Sequence, residues 1–236
     1  MFMILAPQEV HVWLVDISQF DPDSIFYLLS PEEQSKAQRF HFAKDRKSYT
    51  VSHGAVRIIL SKYLGISPEK IMFGTESHGK PLITYPSNPP LHYNLSHSGL
   101  RALIAISHQP IGVDVEQIRS DFDHLSLAPH IMSSQELHSF QQLPTDQKQS
   151  TFFLLWTRKE AYIKAIGKGL SYPLQKFSIS LDWHYPKIIE DQVNPNEPKR
   201  WQMYTVDVGE NYLGTVVCAS GDFIIQRQQF VLTTTK

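Results

Sequence analysis

Only one cysteine, Cys218, occurs among the 236 residues, so the chain cannot form an internal disulfide. This scarcity excludes the disulfide frameworks of small secreted scaffolds, which need paired cysteines. Cys218 lies in an apolar run over 212–219, which favours a buried thiol, because a reactive cysteine needs a basic partner. The 11 histidines have no zinc-site spacing with each other or with cysteine.

Net charge and long hydrophobic runs are also lacking. The 22 Lys and Arg nearly balance the 23 Asp and Glu, which argues against a strongly basic nucleic-acid or membrane binder. No segment approaches the roughly 20 apolar residues of a membrane helix, and the N-terminus has no signal-peptide pattern. We therefore expect a cytoplasmic, monomeric protein that binds neither nucleic acid nor membrane.

Helical and alternating patterns then predict a repeated order of elements. Capping boxes at 30–33 and 133–136 begin helices, and Gly65 and Gly167 end the long ones. The predicted helices cover about 31–39, 43–64, 134–142 and 147–166. The predicted strands cover about 10–15, 71–73, 82–84, 91–95, 101–106, 111–116, 176–182, 201–208, 212–219 and 223–232, with a loop at 190–199. This order predicts an α+β fold of two comparable halves, 1–109 and 110–236.

Two carboxylates stand two residues apart in the predicted strand 111–116 (Ile-Gly-Val-Asp-Val-Glu). Side chains alternate along a strand, so Asp114 and Glu116 point to one face and lie about 7 Å apart. Such a pair can bind a hard cation such as Mg²⁺, which prefers oxygen ligands. The alternative is the exposed face of an ordinary amphipathic strand.

A third carboxylate lies on the predicted helix 147–166. Trp156, Glu160 and Lys164 follow at intervals of four residues, so they share one edge of the helix. Glu160 is therefore a candidate metal ligand or general base. The alternative is a simple Glu–Lys pair, which stabilises a helix by a few tenths of a kcal/mol.

Basic residues are concentrated in the segment 36–47, although the whole chain is nearly neutral. The cluster contains Lys36, Arg39, Lys44, Arg46 and Lys47. It predicts an anion-attracting patch, with two solvated helix faces as the alternative. Lys80 on a turn and the segment 94–98 (Asn-Leu-Ser-His-Ser) add further donors that could hold a phosphate.

In this order, these pieces resemble the Sfp-type (surfactin-synthetase-activating) 4′-phosphopantetheinyl transferases. The motifs are Gly-Lys-Pro at 79–81, Asn-Leu-Ser-His-Ser at 94–98, Ile-Gly-Val-Asp-Val-Glu at 111–116, Trp-x-x-Lys-Glu-Ala-x-x-Lys at 156–164 and Gly-Lys-Gly-Leu at 167–170. The resemblance implies two similar α+β halves related by a pseudo-twofold axis, with the active site in the cleft between them. It also implies transfer of the 4′-phosphopantetheine arm of coenzyme A to a serine of an acyl or peptidyl carrier protein, with release of adenosine 3′,5′-bisphosphate.

The resemblance also implies roles for individual residues. Asp114, Glu116 and Glu160 match the acidic residues that bind Mg²⁺, for which Mn²⁺ is an alternative, and Glu160 also matches a catalytic base. Lys164 matches a catalytic lysine near the phosphates. Coenzyme A contacts are implied for Lys80, Ser96 and His97, with His97 at the 3′-phosphate.

The first helix departs from the family pattern, because Glu33 stands where some relatives have a lysine. Arg46 and Lys47 are therefore the expected replacements as coenzyme A contacts. Glu136 stands 20 residues before Trp156, as a family glutamate does, although its position in a capping box is the simpler explanation.

Two other functions would use the same residues. One is a metal-dependent phosphohydrolase that cleaves a nucleotide diphosphate without a carrier protein. The other is a non-catalytic module that senses coenzyme A or a carrier protein. An inactive relative would be expected to lack one of the three carboxylates, and all three are present.

Overall fold

The computed structural model describes residues 2–87, 89 and 91–232. The helices are α1 (Pro31–Gln38), α2 (Ala43–Leu64), α3 (His124–Ile131), α4 (Ser134–Gln141) and α5 (Thr145–Ile166). The strands are β1 (Glu9–Asp16), β2 (Met72–Thr75), β3 (Pro81–Tyr85), β4 (His92–Ser98), β5 (Arg101–Ser107), β6 (Ile111–Gln117), β7 (Phe177–Ile179), β8 (Ile188–Asp191), β9 (Trp201–Val206), β10 (Tyr212–Ala219) and β11 (Ile224–Gln229). The α+β fold class is confirmed.

Two main sheets and two small hairpins carry these strands. The first sheet has the order β11-β1-β5-β4 and the second has the order β6-β10-β9, while β2-β3 and β7-β8 form the hairpins. The main sheets share an apolar core in which Val12 and Leu103 of the first meet Val113 and Val216 of the second. Cys218 is buried in the same core, as its apolar surroundings in the sequence predict.

The two sheets repeat one connection pattern. β1 pairs with β5 and β6 pairs with β10, and β5 and β10 each pair also with the strand that directly precedes them in the chain, β4 and β9. In each half, an eight-residue helix is followed by a 22-residue helix. Gly65 and Gly167 end the long helices with the same left-handed conformation, at φ 69°.

The short helices begin with capping boxes, as predicted, and each capping glutamate also binds a cation from the long helix. Glu33 accepts a hydrogen bond from the Ser30 amide and lies 2.6 Å from Arg57. Glu136 accepts from the Ser133 amide and lies 2.8 Å from Lys159. Arg57 and Lys159 are each the fifteenth residue of their helix. The capping interpretation of Glu136 is therefore confirmed, with an ion pair added.

Three details differ from the predicted elements. The strand β11 pairs in parallel with β1, so the last strand of the segment 110–236 completes the sheet of the first half. The loop expected at 190–199 begins inside β8, which pairs with β7. The helix α3 was not predicted, because Pro129 interrupts its pattern, and residues 128 and 131 gain their burial only from tertiary packing. No helix among the described residues is long and apolar enough to cross a membrane.

Candidate active site

The glycine of the motif at 111–116 allows β6 to pack directly on α5. A Cβ atom at Gly112 would collide with the backbone of Ala161 and Ala165. On β6, Gly112, Asp114 and Glu116 alternate with valines that point into the core between the sheets. The close approach therefore brings the carboxylate of Asp114 to the edge of α5 that carries Lys164.

Asp114 is only 3% exposed. Its Oδ1 lies 2.6 Å from Lys164 Nζ and accepts a hydrogen bond of 2.7 Å from Ser96 Oγ. Its Oδ2 is buried and has no hydrogen-bond partner among the described residues. Burial raises the pKa of Asp114, although Lys164 and Ser96 favour the ionised form. The carboxylate therefore has one oxygen free for a ligand.

Glu116 is held by two neutral donors. Ser98 Oγ donates to Oε2 at 2.6 Å, and Trp156 Nε1 donates to Oε1 at 3.1 Å. Burial, together with the charge of Asp114, raises the pKa of Glu116. The hydrogen bonds orient this carboxylate without neutralising it.

Glu160 is half-buried, and its Oε1 has no hydrogen-bond partner among the described residues. Burial raises the pKa of Glu160 to about 7. Lys164 opposes this shift, while Asp114 and Glu116 add to it. A carboxylate with a pKa near neutrality can accept a proton at physiological pH and is suited to general-base work.

The three predicted metal ligands do not form a ready-made cation site. Within 2–87, 89 and 91–232, no group of three or more His, Cys, Asp or Glu side chains is placed to hold a metal ion. Lys164 occupies Asp114 Oδ1, and hydrogen bonds engage both oxygens of Glu116. The atoms available to bind a cation are therefore the unpartnered oxygens of Asp114 and Glu160.

On the other face of β4, His97 is close enough to Lys36 and His53 for their charges to act on it. The Nδ1 atom of His97 lies 3.2 Å from Ser48 Oγ of α2. Although part of the His97 side chain is exposed, the surrounding protein and the charges of His53, Lys164 and Lys36 lower its pKa to about 4, with Asp45 opposing the shift. The site therefore concentrates positive charge, which favours an anionic ligand.

Lys36, Ser48 and His53 are neighbours of His97 for which no specific role was predicted. Lys36 was part of the basic cluster at 36–47, whereas Ser48 and His53 gave no signal because α2 reads as a core helix. The coenzyme A contacts of Arg46 and Lys47 stay predictions, and in the structure both side chains contact other protein groups. Arg46 packs over the ring of Phe26, and Lys47 Nζ lies 3.4 Å from the carbonyl oxygen of Ser18.

Lys80 connects the two halves. Its Nζ donates to the carbonyl oxygens of Ile111 at 3.0 Å and Ala165 at 3.1 Å, and burial lowers its pKa to about 8. A cavity of about 620 Å³ opens beside Lys80 and Gly167. A second cavity, of about 710 Å³, lies next to the His97 group and is lined by Glu33, His53 and Pro81, among others.

Comparison with known proteins gives this geometry its context. Residues 15–109 match the family model "4′-phosphopantetheinyl transferase, N-terminal", and residues 110–217 match the model of the "4′-phosphopantetheinyl transferase superfamily". The chain belongs to the Sfp-type 4′-phosphopantetheinyl transferase family, and it is accordingly a transferase.

Curated relatives are similar in sequence to this chain over most of its length. The 4′-phosphopantetheinyl transferase HetI of Nostoc sp. is 38% identical over 185 residues, which cover 76% of this chain and 77% of HetI. The 4′-phosphopantetheinyl transferase Sfp of Bacillus subtilis (strain 168) is 33% identical over 207 residues, covering 88% of this chain and 89% of Sfp. The gsp transferase of Aneurinibacillus migulanus is 33% identical, covering 78% of this chain and 73% of the relative.

Proposed function

We propose that the protein transfers the 4′-phosphopantetheine group of coenzyme A to a serine hydroxyl of an apo acyl or peptidyl carrier protein. Adenosine 3′,5′-bisphosphate is the other product, and a divalent cation, Mg²⁺ or Mn²⁺, is required. The donor, the acceptor serine and the cation go beyond what membership of the family establishes, so each needs its own support.

The observation that carries the proposal is that β4 borders two sites of opposite charge. Ser96 and Ser98 reach the carboxylates of Asp114 and Glu116, while His97 faces the basic group on the opposite side of the strand. Coenzyme A carries both a diphosphate, which binds cations, and a separate 3′-phosphate, which binds basic side chains. A molecule with two phosphate groups fits this arrangement.

The carboxylates are not gathered around one point in the described part of the chain, but their oxygens are the ligand type that a hard divalent cation prefers. Mg²⁺ commonly binds through one or two carboxylates, completing its ligand set with water and substrate phosphates. Asp114 Oδ2 and Glu160 Oε1 are buried and unpartnered among the described residues, and an unpaired buried carboxylate oxygen is costly. Asp114, Glu116 and Glu160 would hold the ion, which would neutralise charge on the diphosphate oxygens.

The side chains of the site supply the remaining chemistry. The serine oxygen of the carrier bonds to the phosphorus that bears the pantetheine arm, and the bond from that phosphorus to the bridging oxygen breaks. Glu160, with a pKa near 7, accepts the serine proton. Lys164 stabilises the charge that develops on the leaving phosphate, as fixed cations do in phosphoryl transfer.

The nucleotide end of coenzyme A would lie in the first half of the chain. His97 and Lys36 are proposed to bind the 3′-phosphate, and the neighbouring 710 Å³ cavity offers room for the adenosine. The predicted contacts at Lys80 and Ser96 remain part of the proposal, although both side chains already make hydrogen bonds within the protein. Binding across β4 would place the diphosphate in a cleft between the two halves, which we propose are related by a pseudo-twofold axis.

Mass spectrometry of a carrier-protein panel tests the proposal. The panel contains apo carriers of fatty acid, polyketide and peptide synthesis, each incubated with the protein, coenzyme A and Mg²⁺. We expect a phosphopantetheine adduct on a serine, loss of transfer after chelation, and recovery with Mg²⁺ or Mn²⁺. The variant Asp114→Asn should lose activity about 100-fold or more, as removal of one charge-stabilising group does elsewhere.

The matched control is Asp207→Asn, because Asp207 is an exposed carboxylate that pairs with Arg227 and accepts a hydrogen bond from the Gly209 amide. Absence of an adduct on every carrier would overturn the proposal. Release of adenosine 3′,5′-bisphosphate without any carrier would support a phosphohydrolase instead.

A further inference from the structure

The face of β4 that meets β6 carries a row of polar side chains. Strand alternation places Asn94, Ser96 and Ser98 on this face. Because β4 and β6 belong to different sheets, no backbone ladder joins them. The side chains of the row make the connection instead, and Asn94 Oδ1 accepts a hydrogen bond of 2.8 Å from the Val113 amide.

The next two members of the row contact the candidate site itself. Ser96 Oγ donates to Asp114 Oδ1 at 2.7 Å, and Ser98 Oγ donates to Glu116 Oε2 at 2.6 Å. Their spacing of two residues matches that of the carboxylates. The first half of the chain therefore contributes one hydroxyl to each carboxylate of the second half.

The hydrogen bonds of Ser98 leave its hydroxyl little freedom. Its oxygen accepts from the Gln117 amide at 3.2 Å, and its single hydrogen is donated to Glu116. Trp156 holds the other oxygen of the same carboxylate. Glu116 is thus fixed from two elements by neutral donors, whereas Asp114 is paired with the charged Lys164.

We propose that Ser98 is a positioning residue, which fixes the Glu116 carboxylate for the divalent cation and so lets the first half of the chain set the cation affinity of the second. This inference rests on the cation-dependent transfer proposed above. Partners that orient metal ligands typically contribute 10- to 100-fold to metal affinity. A contribution of this size is measurable without turnover.

The test is a titration of the whole protein with Mn²⁺ alone, followed by electron paramagnetic resonance. Ser98→Ala should weaken Mn²⁺ binding about tenfold. Ser98→Thr should stay within about twofold of the unmodified protein, because it keeps the hydroxyl and a β-branched residue suits a strand. Ser107→Ala is the matched control, since Ser107 is a buried strand serine that accepts from the Gln109 amide.

Equal Mn²⁺ affinities in Ser98→Ala and the unmodified protein would overturn the inference, as would equal losses in the Ala and Thr variants. Thermal unfolding of each variant shows that the protein is folded during the titration. The adduct assay separates the two proposals. A protein that modifies carriers but whose Mn²⁺ affinity does not depend on the Ser98 hydroxyl retains the proposed function and loses only this inference.

Discussion

The segments 1–109 and 110–236 contain similar helix and strand connections, but the charged side chains near β4 and β6 differ in sign. Each has a capped short helix, a 22-residue helix with a buried cation at its fifteenth position, and a sheet with the same strand order. In the first segment, burial and then basic neighbours lower the pKa of His97 to about 4. In the second segment, burial and then acidic neighbours raise the pKa of Glu160 to about 7, against the effect of Lys164.

The ion pairs that support the fold are therefore arranged differently from the charged groups of the candidate site. The framework in both halves uses the same device, a glutamate that caps one helix and pairs with a cation on the next. The candidate site instead holds groups of like charge close together, which costs free energy unless a ligand of opposite charge is bound. A phosphate would relieve the first site and a divalent cation the second, and coenzyme A with its cation would satisfy both.

The largest effect is expected for the framework. Lys159 is fully buried with Glu136, so Lys159→Met leaves an unpaired buried carboxylate and should lower the free energy of unfolding by about 4 kcal/mol. Arg57→Met should act similarly on Glu33, with a smaller loss because Glu33 is partly exposed. Urea denaturation measures both. The control Arg200→Met removes an exposed cation from Glu197, which keeps its hydrogen bonds from Asn194 and Trp201, and should cost less than about 0.5 kcal/mol.

If Lys159→Met were no less stable than the Arg200 control, the buried pair would not support the fold. If only one of the variants Lys159→Met and Arg57→Met lost stability, the two ion pairs would not be equivalent.

Glu160→Gln should separate chemistry from stability. We expect transfer to fall about 100-fold, the lower limit for losing a general base. The melting temperature at pH 8 should stay equal or rise, because the substitution removes a partly buried charge beside Asp114 and Glu116. Glu190→Gln, on the exposed face of β8, is the control. Unchanged transfer in Glu160→Gln would remove this carboxylate from the mechanism.

His97→Ala should reveal which phosphate the basic group binds. We expect affinity for coenzyme A to fall about tenfold, as for one hydrogen bond to a charged group. Affinity for 3′-dephospho-coenzyme A should change little. Isothermal titration measures both ligands, and His92→Ala, at the other end of β4, is the control. Equal losses for both ligands would exclude His97 from the 3′-phosphate site.

The pH dependence of stability should report the shifted pKa of His97 without any ligand. Because the folded pKa of His97 is about 4 and its ordinary value is 6.5, the unfolded chain takes up a proton first as pH falls. The free energy of unfolding therefore falls as the pH is lowered from 6.5 towards 4. The melting temperature of the unmodified protein should fall relative to that of His97→Gln over this range. A constant difference would contradict the shifted pKa.

The smallest effect is expected for Arg46→Ala. The predicted coenzyme A contact at this residue is still a prediction, but the side chain packs over Phe26 and approaches Asp23. We expect less than about a twofold change in affinity for coenzyme A, since exposed ion pairs contribute little. Lys36→Ala, beside His97, should weaken binding more. The reverse order would restore Arg46 as the contact.

Much of the framework could be predicted because local signals carry it. The capping boxes at Ser30 and Ser133 and the glycines after the long helices specify helix ends through their own backbone geometry. The α2 and α5 spans accordingly agree with the sequence within two residues. The helix α3 lacks such signals, and β11 finds its partner at the far end of the chain.

The candidate site was predictable in its residue types but not in its connections. The spacing of Asp114 and Glu116 placed both on one face, as the structure has them. No spacing rule could show that Lys164 pairs with Asp114, or that Ser98 and Trp156 share Glu116, because these contacts join residues 18 to 50 positions apart. Nor could the sequence show that Lys36 acts electrostatically on His97 while Arg46 packs over Phe26.

By itself, the sequence determined the α+β class, the long helices, the near-neutral charge and the identities of the carboxylates, because propensity, periodicity and capping act over a few residues. Only the tertiary structure decided which charges are neighbours. Packing of β6 on α5 through Gly112, and of β4 against β6 through its polar row, brings the carboxylates together and sets their pKa values. Electrostatic energies depend on distance and burial, and both are properties of the folded chain rather than of the order of its residues.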